Sequence, residues 1–185
     1  MVSDAFGHIE LRELGAEGIE LIREIDRSER IDTRYTVKDG RLHGQRVDFD
    51  VPPWDSEGGG PHSSARRISA FRPIVDGGAT VLGAFIDDRL AGIAIVDPLF
   101  EGRTAWFAFL HVSRTYRRRG VASTLWAAGV EIAVAAGAES VYVSATPSGS
   151  AVGFYTSRGC RLANPPHAAL FAEEPEDIHL VCSIA

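Results

Sequence analysis

Between Gly78 and Gly120 short apolar runs alternate with polar turns: Thr80 to Ile86, Leu90 to Val96 and Thr104 to Val112, with Asp87-Asp88 between the first two. Three such runs at close spacing predict an antiparallel meander. The period then changes. Val121, Leu125, Ala128, Ile132 and Ala135 recur at helical spacing, so a helix is expected from Gly120 to about Ala136, with Gly137 as its C-terminal cap. A buried strand follows over Ser140 to Ala145, then a second helix from Ser150 to Ser157 that stops at Gly159, then strands near Cys160 to Leu162 and Ile178 to Ile184. In the first third of the chain, His8 to Leu14 alternates as a strand and Ala16 to Ile25 reads as a helix. Arg34 to Phe49 carries the Asp39-Gly40 signal of a hairpin turn, Pro52 to His62 is loop by composition, and Ser63 to Phe71 forms a short helix. The pattern as a whole is α+β around one mixed sheet.

The composition narrows what such a fold serves. At 185 residues, 45% hydrophobic and 24% charged, one domain over residues 1–185 with a single well-buried core is expected. No apolar run approaches the ~20 residues of a membrane helix. The start, Met1 to Phe6, lacks the basic and apolar regions of a signal peptide, so the cytoplasm is the expected compartment and no membrane partner is implied. Cys160 and Cys182 both lie in apolar stretches, which favours buried thiols over a disulfide or a metal pair, and no metal site is spelled. A net charge of −6 argues against nucleic-acid binding. Yet Arg114, Arg117, Arg118 and Arg119 crowd together, a local positive charge suited to a small polyanionic ligand.

Those arginines lead into Gly120-Val121-Ala122-Ser123, where the meander gives way to the helix. The first N–H groups of a helix lack intrahelical partners, and the helix dipole adds partial positive charge there, so the turn is built to hold a phosphate. Gly120 and Ala122 keep the backbone accessible to it. A Walker loop and a dinucleotide-binding glycine fingerprint are both missing.

Arg117, Gly120 and Ala122 fill the three defined positions of Arg/Gln-x-x-Gly-x-Gly/Ala, and the turn resembles motif A of the GCN5-related N-acetyltransferases (GNAT). About thirty residues on, Ala151-Val152-Gly153-Phe154-Tyr155-Thr156-Ser157-Arg158-Gly159-Cys160 resembles the family's second signature, Ala-x-x-Phe-Tyr-x-x-x-Gly-Phe. The resemblance extends from about Ala79 to the end, and the opening strand and helix suit the family's start. It implies a single GNAT domain, with acetyl-CoA as acetyl donor and its diphosphate on the backbone of Arg118, Arg119, Gly120, Val121, Ala122 and Ser123. Arg117 adds charge. The strand before the turn is implied to splay from its neighbour, so that the backbone of Leu110, His111 and Val112 pairs with the pantetheine arm.

Tyr155 is implied to be the catalytic acid, since expulsion of a thiolate is eased by a phenol with an ordinary pKa of ~10. Ser148 stands where many members place an asparagine that touches the cofactor, and Cys160 replaces the usual phenylalanine. The acceptor is expected to be a small primary amine that attacks directly in a ternary complex. A peptide or protein amine, or acyl-CoA binding without turnover, are the alternatives. The region from Asp32 to Pro73 is longer than usual and lies where the family builds its acceptor side. There Asp48, Asp50, Asp55 and Glu57 beside Trp54 could line a pocket for a cationic amine, or form a solvated loop. Trp106 reads as core, and His62, His167 and His179 have no partner visible in sequence. Family dimers through the C-terminal strands make Ile178 to Ile184 a candidate for pairing across two copies.

Overall fold

A computed structural model of the chain describes residues 8–55, 58, 60 and 62–185. Its centre is a seven-stranded sheet in the order β1-β4-β5-β6-β7-β9-β8. The strands are β1 (Glu10–Leu14), β4 (Thr80–Ile86), β5 (Arg89–Glu101), β6 (Thr104–Val112), β7 (Ser140–Ala145), β8 (Arg161–Leu162) and β9 (Ile178–Ser183). The expected meander is β4-β5-β6. Its first turn places Asp87 and Asp88 both at positive φ, the geometry that joins two antiparallel strands through two residues. Only β6 and β7 are parallel, because helix α2 (Val121–Ala135) carries the chain across between them. Two further strands, β2 (Glu29–Lys38) and β3 (Arg41–Val51), form the expected hairpin about Asp39-Gly40 as a separate sheet.

Both faces of the central sheet are covered, so its strands read as continuous apolar runs. Under α2 and α3 (Gly149–Thr156) lie Leu82, Ala94, Val96, Phe107, Val141, Val143 and Leu180, packed on Leu125, Trp126 and Val152. The opposite face packs Val81, Ile93, Ile95 and Phe109 against helix α1 (Ser64–Asp76) and a 3-10 helix, Ala16–Glu24. That segment was expected to be a helix of unspecified kind. Ile19, Ile22 and Ile25, all buried, recur every third residue and form the single stripe that a three-residue period provides.

Three sequence expectations change. Helix α1 runs beyond Phe71 and through Pro73 to Asp76, where burial of Val75 beside Phe71 outweighs the one donor that proline removes. A short helix α4, Ala168–Glu173, forms between β8 and β9, where no element is expected. Cys160 and Cys182 are joined in a disulfide rather than left as thiols, because Gly159 turns the end of α3 back against β9. Within the chain β9 is hydrogen-bonded to β7 on one edge and to β8 at Leu180 and Val181 on the other. Among the described residues no helix is long and apolar enough to cross a membrane.

Gly129 marks where α2 meets the sheet most tightly, since a Cβ there would fall inside the Phe107 ring and 2.9 Å from Val96 Cγ2. An alanine in a helix ordinarily gains about 1 kcal/mol over glycine, whereas overpacking costs about 1–3 kcal/mol. The contact involves a ring wedged against a central strand, so overpacking prevails. Gly129→Ala is expected to lower stability in chemical denaturation by about 1 kcal/mol or more; a gain would show that α2 can lift off the sheet.

Candidate active site

The strands β6 and β7 stay paired only from Thr104↔Ser140 to Phe107↔Val143, although β6 continues to Val112. Beyond Phe107 they part. A bulge sits at the same place on the other edge: Ile95 faces Phe109 and Val96 faces Phe107, which leaves Ala108 as the extra residue in β6. The bulge resets the alternation of side chains. Phe107 packs toward α2, whereas Phe109 packs into the core beneath α1, and His111 follows it onto that face.

The backbone alternates too. Ser113 donates its N–H to Ala91 of β5, so the carbonyl of Val112, in the same peptide plane, points the opposite way, into the gap. Val112 and Leu110 therefore turn their backbone groups to the gap, and His111 turns its own to β5. The Val112 carbonyl is already engaged: Arg117 Nε donates to it at 3.1 Å. The same guanidinium donates to the Arg27 carbonyl at 3.1 Å and lies 3.4 Å from Glu29. Of the residues expected at the cofactor, Arg117 is thus a clamp between the end of β6 and the loop before β2, rather than a free cation.

The turn that follows has Arg118 at φ 58° and Gly120 at φ 87°. Gly120 is the N-cap of α2 and no side chain caps that end, so the N–H groups of Val121, Ala122 and Ser123 are presented outward. Space beside Gly120 is open, and its positive φ is what requires glycine. Ser123 accepts a hydrogen bond from Arg158 at 2.7 Å, which ties the start of α2 to the end of α3. Ser148 is the N-cap of α3: its Oγ accepts from Ala151 N–H at 3.2 Å and lies 3.0 Å from Ser150 Oγ. It is buried beneath β2, which reaches it through the Arg34 bridge.

Tyr155 lies on α3, edge-on to Trp126 and Phe154 with ring centroids 5.6 Å and 5.1 Å away. Burial pushes its phenol well above the ordinary range, and the nearby Arg158 guanidinium offsets this only in part. It stays protonated at neutral pH.

On the α1 side of the gap the arrangement differs from the acidic lining expected. Asp48 pairs with Arg30, and Glu57 lies outside the described residues, as do Ser56, Gly59 and Pro61 of the glycine-rich loop. Trp54 does reach the site, against Phe109 and His111. Its face is covered by the Arg27 guanidinium, 4.5 Å from the ring. Burial, then the charges of Arg67, Arg117 and Arg27, push His111 down to about 3, so its ring is neutral. Arg67 pairs with Glu174 at 2.7 Å. Asp177, just before β9 at the open end of β7, is pushed up to about 7 by burial and by Glu174, against the pull of Arg67.

The histidines without visible partners find them here. His62 contacts Arg27 at 3.4 Å. His179 Nε2 lies 3.0 Å from the Glu174 carbonyl and must be the donor, so Nδ1 accepts from Tyr142 at 2.9 Å, while Tyr142 accepts from His167 N–H. Trp106 is only partly in the core, packed on Phe100 with its Nε1 buried and unpartnered. Arg27, Arg67 and Asp177 gave no sequence signal as site residues, since none belongs to a motif and all are brought in by long-range packing, and Arg158 stands at an undefined position of the second signature.

Comparisons with known proteins agree with this geometry. The model of the acetyltransferase (GNAT) family matches residues 49–160. Nourseothricin acetyltransferase has a similar structure, with a TM-score of 0.69 and 20% identity over 94% of this chain and 95% of that one. A Bacillus anthracis protein assigned as a streptothricin acetyltransferase, in complex with acetyl coenzyme A, gives 0.67 and 14% identity over 94% and 96%. PaiA N-acetyltransferase from Thermoplasma acidophilum, in complex with coenzyme A, gives 0.59 and 16% over 95% and 99%. No curated protein matches the chain by sequence. The family match spans more than half the chain and takes in both the arginine-glycine turn and the Phe154-Tyr155 stretch: the chain belongs to the acetyltransferase (GNAT) family, whose acetyl donor is acetyl-CoA.

Proposed function

We propose that the chain transfers the acetyl group of acetyl-CoA to a primary amine of a small molecule, by direct attack in a ternary complex within one domain over residues 1–185. The observation that carries this reading is the unpaired edge of β6, which runs from the bulge at Ala108 to the uncapped start of α2. The diphosphate takes the N–H groups of Arg118 to Ser123, with Arg118 and Arg119 supplying charge and Arg117 holding the turn to β6. The pantetheine arm pairs with Leu110 and with the N–H of Val112, the groups the parted strands leave open. His111 contributes its ring to the acceptor side, and Ser148 supports the site by holding the start of α3.

Tyr155 donates its proton as the thiolate leaves. At neutral pH the phenol is present as the acid, and burial keeps it from ionising. The segment from Asp32 to Pro73 builds the acceptor side. The support for a small acceptor is that this side is bridged twice: the hairpin reaches over from Arg34 to Glu176 at 2.9 Å and from the Tyr35 N–H to the Pro147 carbonyl, and α1 through Arg67 to Glu174. A polypeptide needs a groove open at both ends. Nourseothricin acetyltransferase, similar in fold, is named for a small-molecule acceptor.

Acetyl-CoA at a hundred times its dissociation constant is expected to stabilise the protein by about 2.7 kcal/mol, read as a rise in melting temperature. No rise, together with no competition by CoA, overturns the donor site. With an amine that is turned over, Tyr155→Phe is expected to lower kcat by about a hundredfold while acetyl-CoA affinity holds. Equal losses in both would make Tyr155 a packing residue. Thiol release with a peptide N-terminus and with none of a panel of small amines would move the acceptor to the peptide class.

A further inference from the structure

The α1 side of the gap carries more positive charge than the protein itself neutralises. Arg27 contacts only the His62 ring and the Trp54 face, and among the described residues no carboxylate pairs with it. Burial and the charge of Arg67 both act against its guanidinium. Arg67 has one partner, Glu174, and its Nε is buried with no hydrogen-bond partner among the described residues. The Trp54 Nε1–H, in the same cluster, is buried and has no hydrogen-bond partner among the described residues either. In a chain of net charge −6 two partly buried arginines that repel one another are not a default arrangement. Buried donors aimed at one place cost free energy unless an acceptor meets them.

Across from the guanidiniums the charge reverses. Glu174, Glu176 and Asp177 form the turn before β9, and Arg67 lies within the electrostatic reach of both His111 and Asp177, so it stands between the end of β6 and that turn. One side therefore offers the Arg27 guanidinium, which has no carboxylate partner among the described residues, with the buried Nε of Arg67, and the other offers carboxyl groups, one of them, Asp177, able to gain or lose a proton near neutral pH.

From this arrangement we propose that the acceptor is zwitterionic, an amine that also bears a carboxylate, and that Arg27 and Arg67 hold the carboxylate while the turn of Glu174 and Asp177 receives the ammonium end. The inference rests on the small-amine reading and specifies its substrate class. A carboxylate fits better than a phosphate: Glu174 already offsets one of the two guanidiniums, which leaves a single positive charge to be met. A plain cationic amine fits worse, because Arg27 occupies the Trp54 face that would attract it.

The test uses the standard amino acids, each against its own carboxamide and its decarboxylated amine, with two readouts: thiol release from acetyl-CoA, and the melting temperature of the protein loaded with CoA. The preferred acid is expected to exceed its carboxamide by about tenfold or more in kcat/KM, the size of a hydrogen bond to a charged group. It should also raise the melting temperature where the carboxamide does not. Arg27→Gln is expected to erase the preference through KM, with kcat on the carboxamide and acetyl-CoA affinity retained; Arg27→Lys should keep part of it. Because Arg67→Gln removes the Glu174 pair as well, its fold is checked first by acetyl-CoA stabilisation. Carboxamides or plain amines turned over as well as the acids would overturn the proposal and leave the small-amine reading standing, as would a preference that survives in Arg27→Gln. If no member of any set is turned over or stabilises the CoA-loaded protein while acetyl-CoA still binds, the small-amine reading falls and the zwitterion with it.

Discussion

The parting of β6 from β7 is the constraint on which the rest of the molecule depends. A parallel pair in the middle of a covered sheet would ordinarily run its ladder to the end, because buried backbone groups left without partners are costly. Here the ladder stops after Phe107 and Val143. Two features on the other edges hold the strands apart. The bulge at Ala108 turns β6, and β7 follows β9 as far as Ala145↔Ile178. The gap is therefore flanked by strands that each have a firm partner on the far side, and its open backbone groups are a fixed feature of the fold.

Arg117 connects that gap to everything around it. Its guanidinium spans from Val112 at the end of β6 to the carbonyl of Arg27 and to Glu29, while the backbone of Asp26 receives a second tie, from Arg114 N–H, and donates to Ser113 Oγ. Arg117, which fills the Arg/Gln position of motif A, thus acts in this chain as a fork with several donors, a task to which a planar guanidinium is suited and an ammonium is not. Through it the loop bearing Arg27 is held against the strand bearing His111. On the opposite face Arg158 makes a comparable link, from α3 with Tyr155 to Ser123 at the start of α2. The turn before α2 is joined to the loop before β2 by one arginine and to α3 by another.

The sequence made the scaffold legible where local rules decide it. The meander, the Asp39-Gly40 hairpin, α2 with Gly137 behind it, and α3 ending at Gly159 all follow from period and turn chemistry, and each stands within a few residues of its expected place. The family could be read from two short signatures for the same reason: both lie at helix starts or on one helix face, where spacing in sequence is spacing in space. What could not be read depends on distant partners. The bulge at Ala108 has no local cue, and without it alternation would place His111 on the α2 side with Phe107. The path of α1 through Pro73, the small α4 and the Cys160–Cys182 bond are decided by packing on β5, β7 and β9. Arg27 and Arg67 are unremarkable in sequence, forty residues apart and in no motif, and become a pair only when the 3-10 helix and α1 pack side by side on one face of the sheet.

That pairing also bears on how an amine becomes nucleophilic here. The usual account asks for a base to take the proton of the attacking ammonium. Desolvation and nearby positive charge favour the neutral form of any amine, as they favour the neutral form of an imidazole. His111 shows the strength of this effect at the end of β6: burial and three guanidiniums together hold it near 3, far below the ordinary histidine value. An amine drawn into the same field from the turn of Asp177 passes from a place where its charge is welcomed to one where it is not. On the reading proposed above the proton leaves as the surroundings change, and a carboxyl with a pKa near neutrality, which burial and Glu174 give to Asp177, is suited to receive it. On that reading burial, the larger influence on His111, does most of the deprotonation, and a weak base is enough.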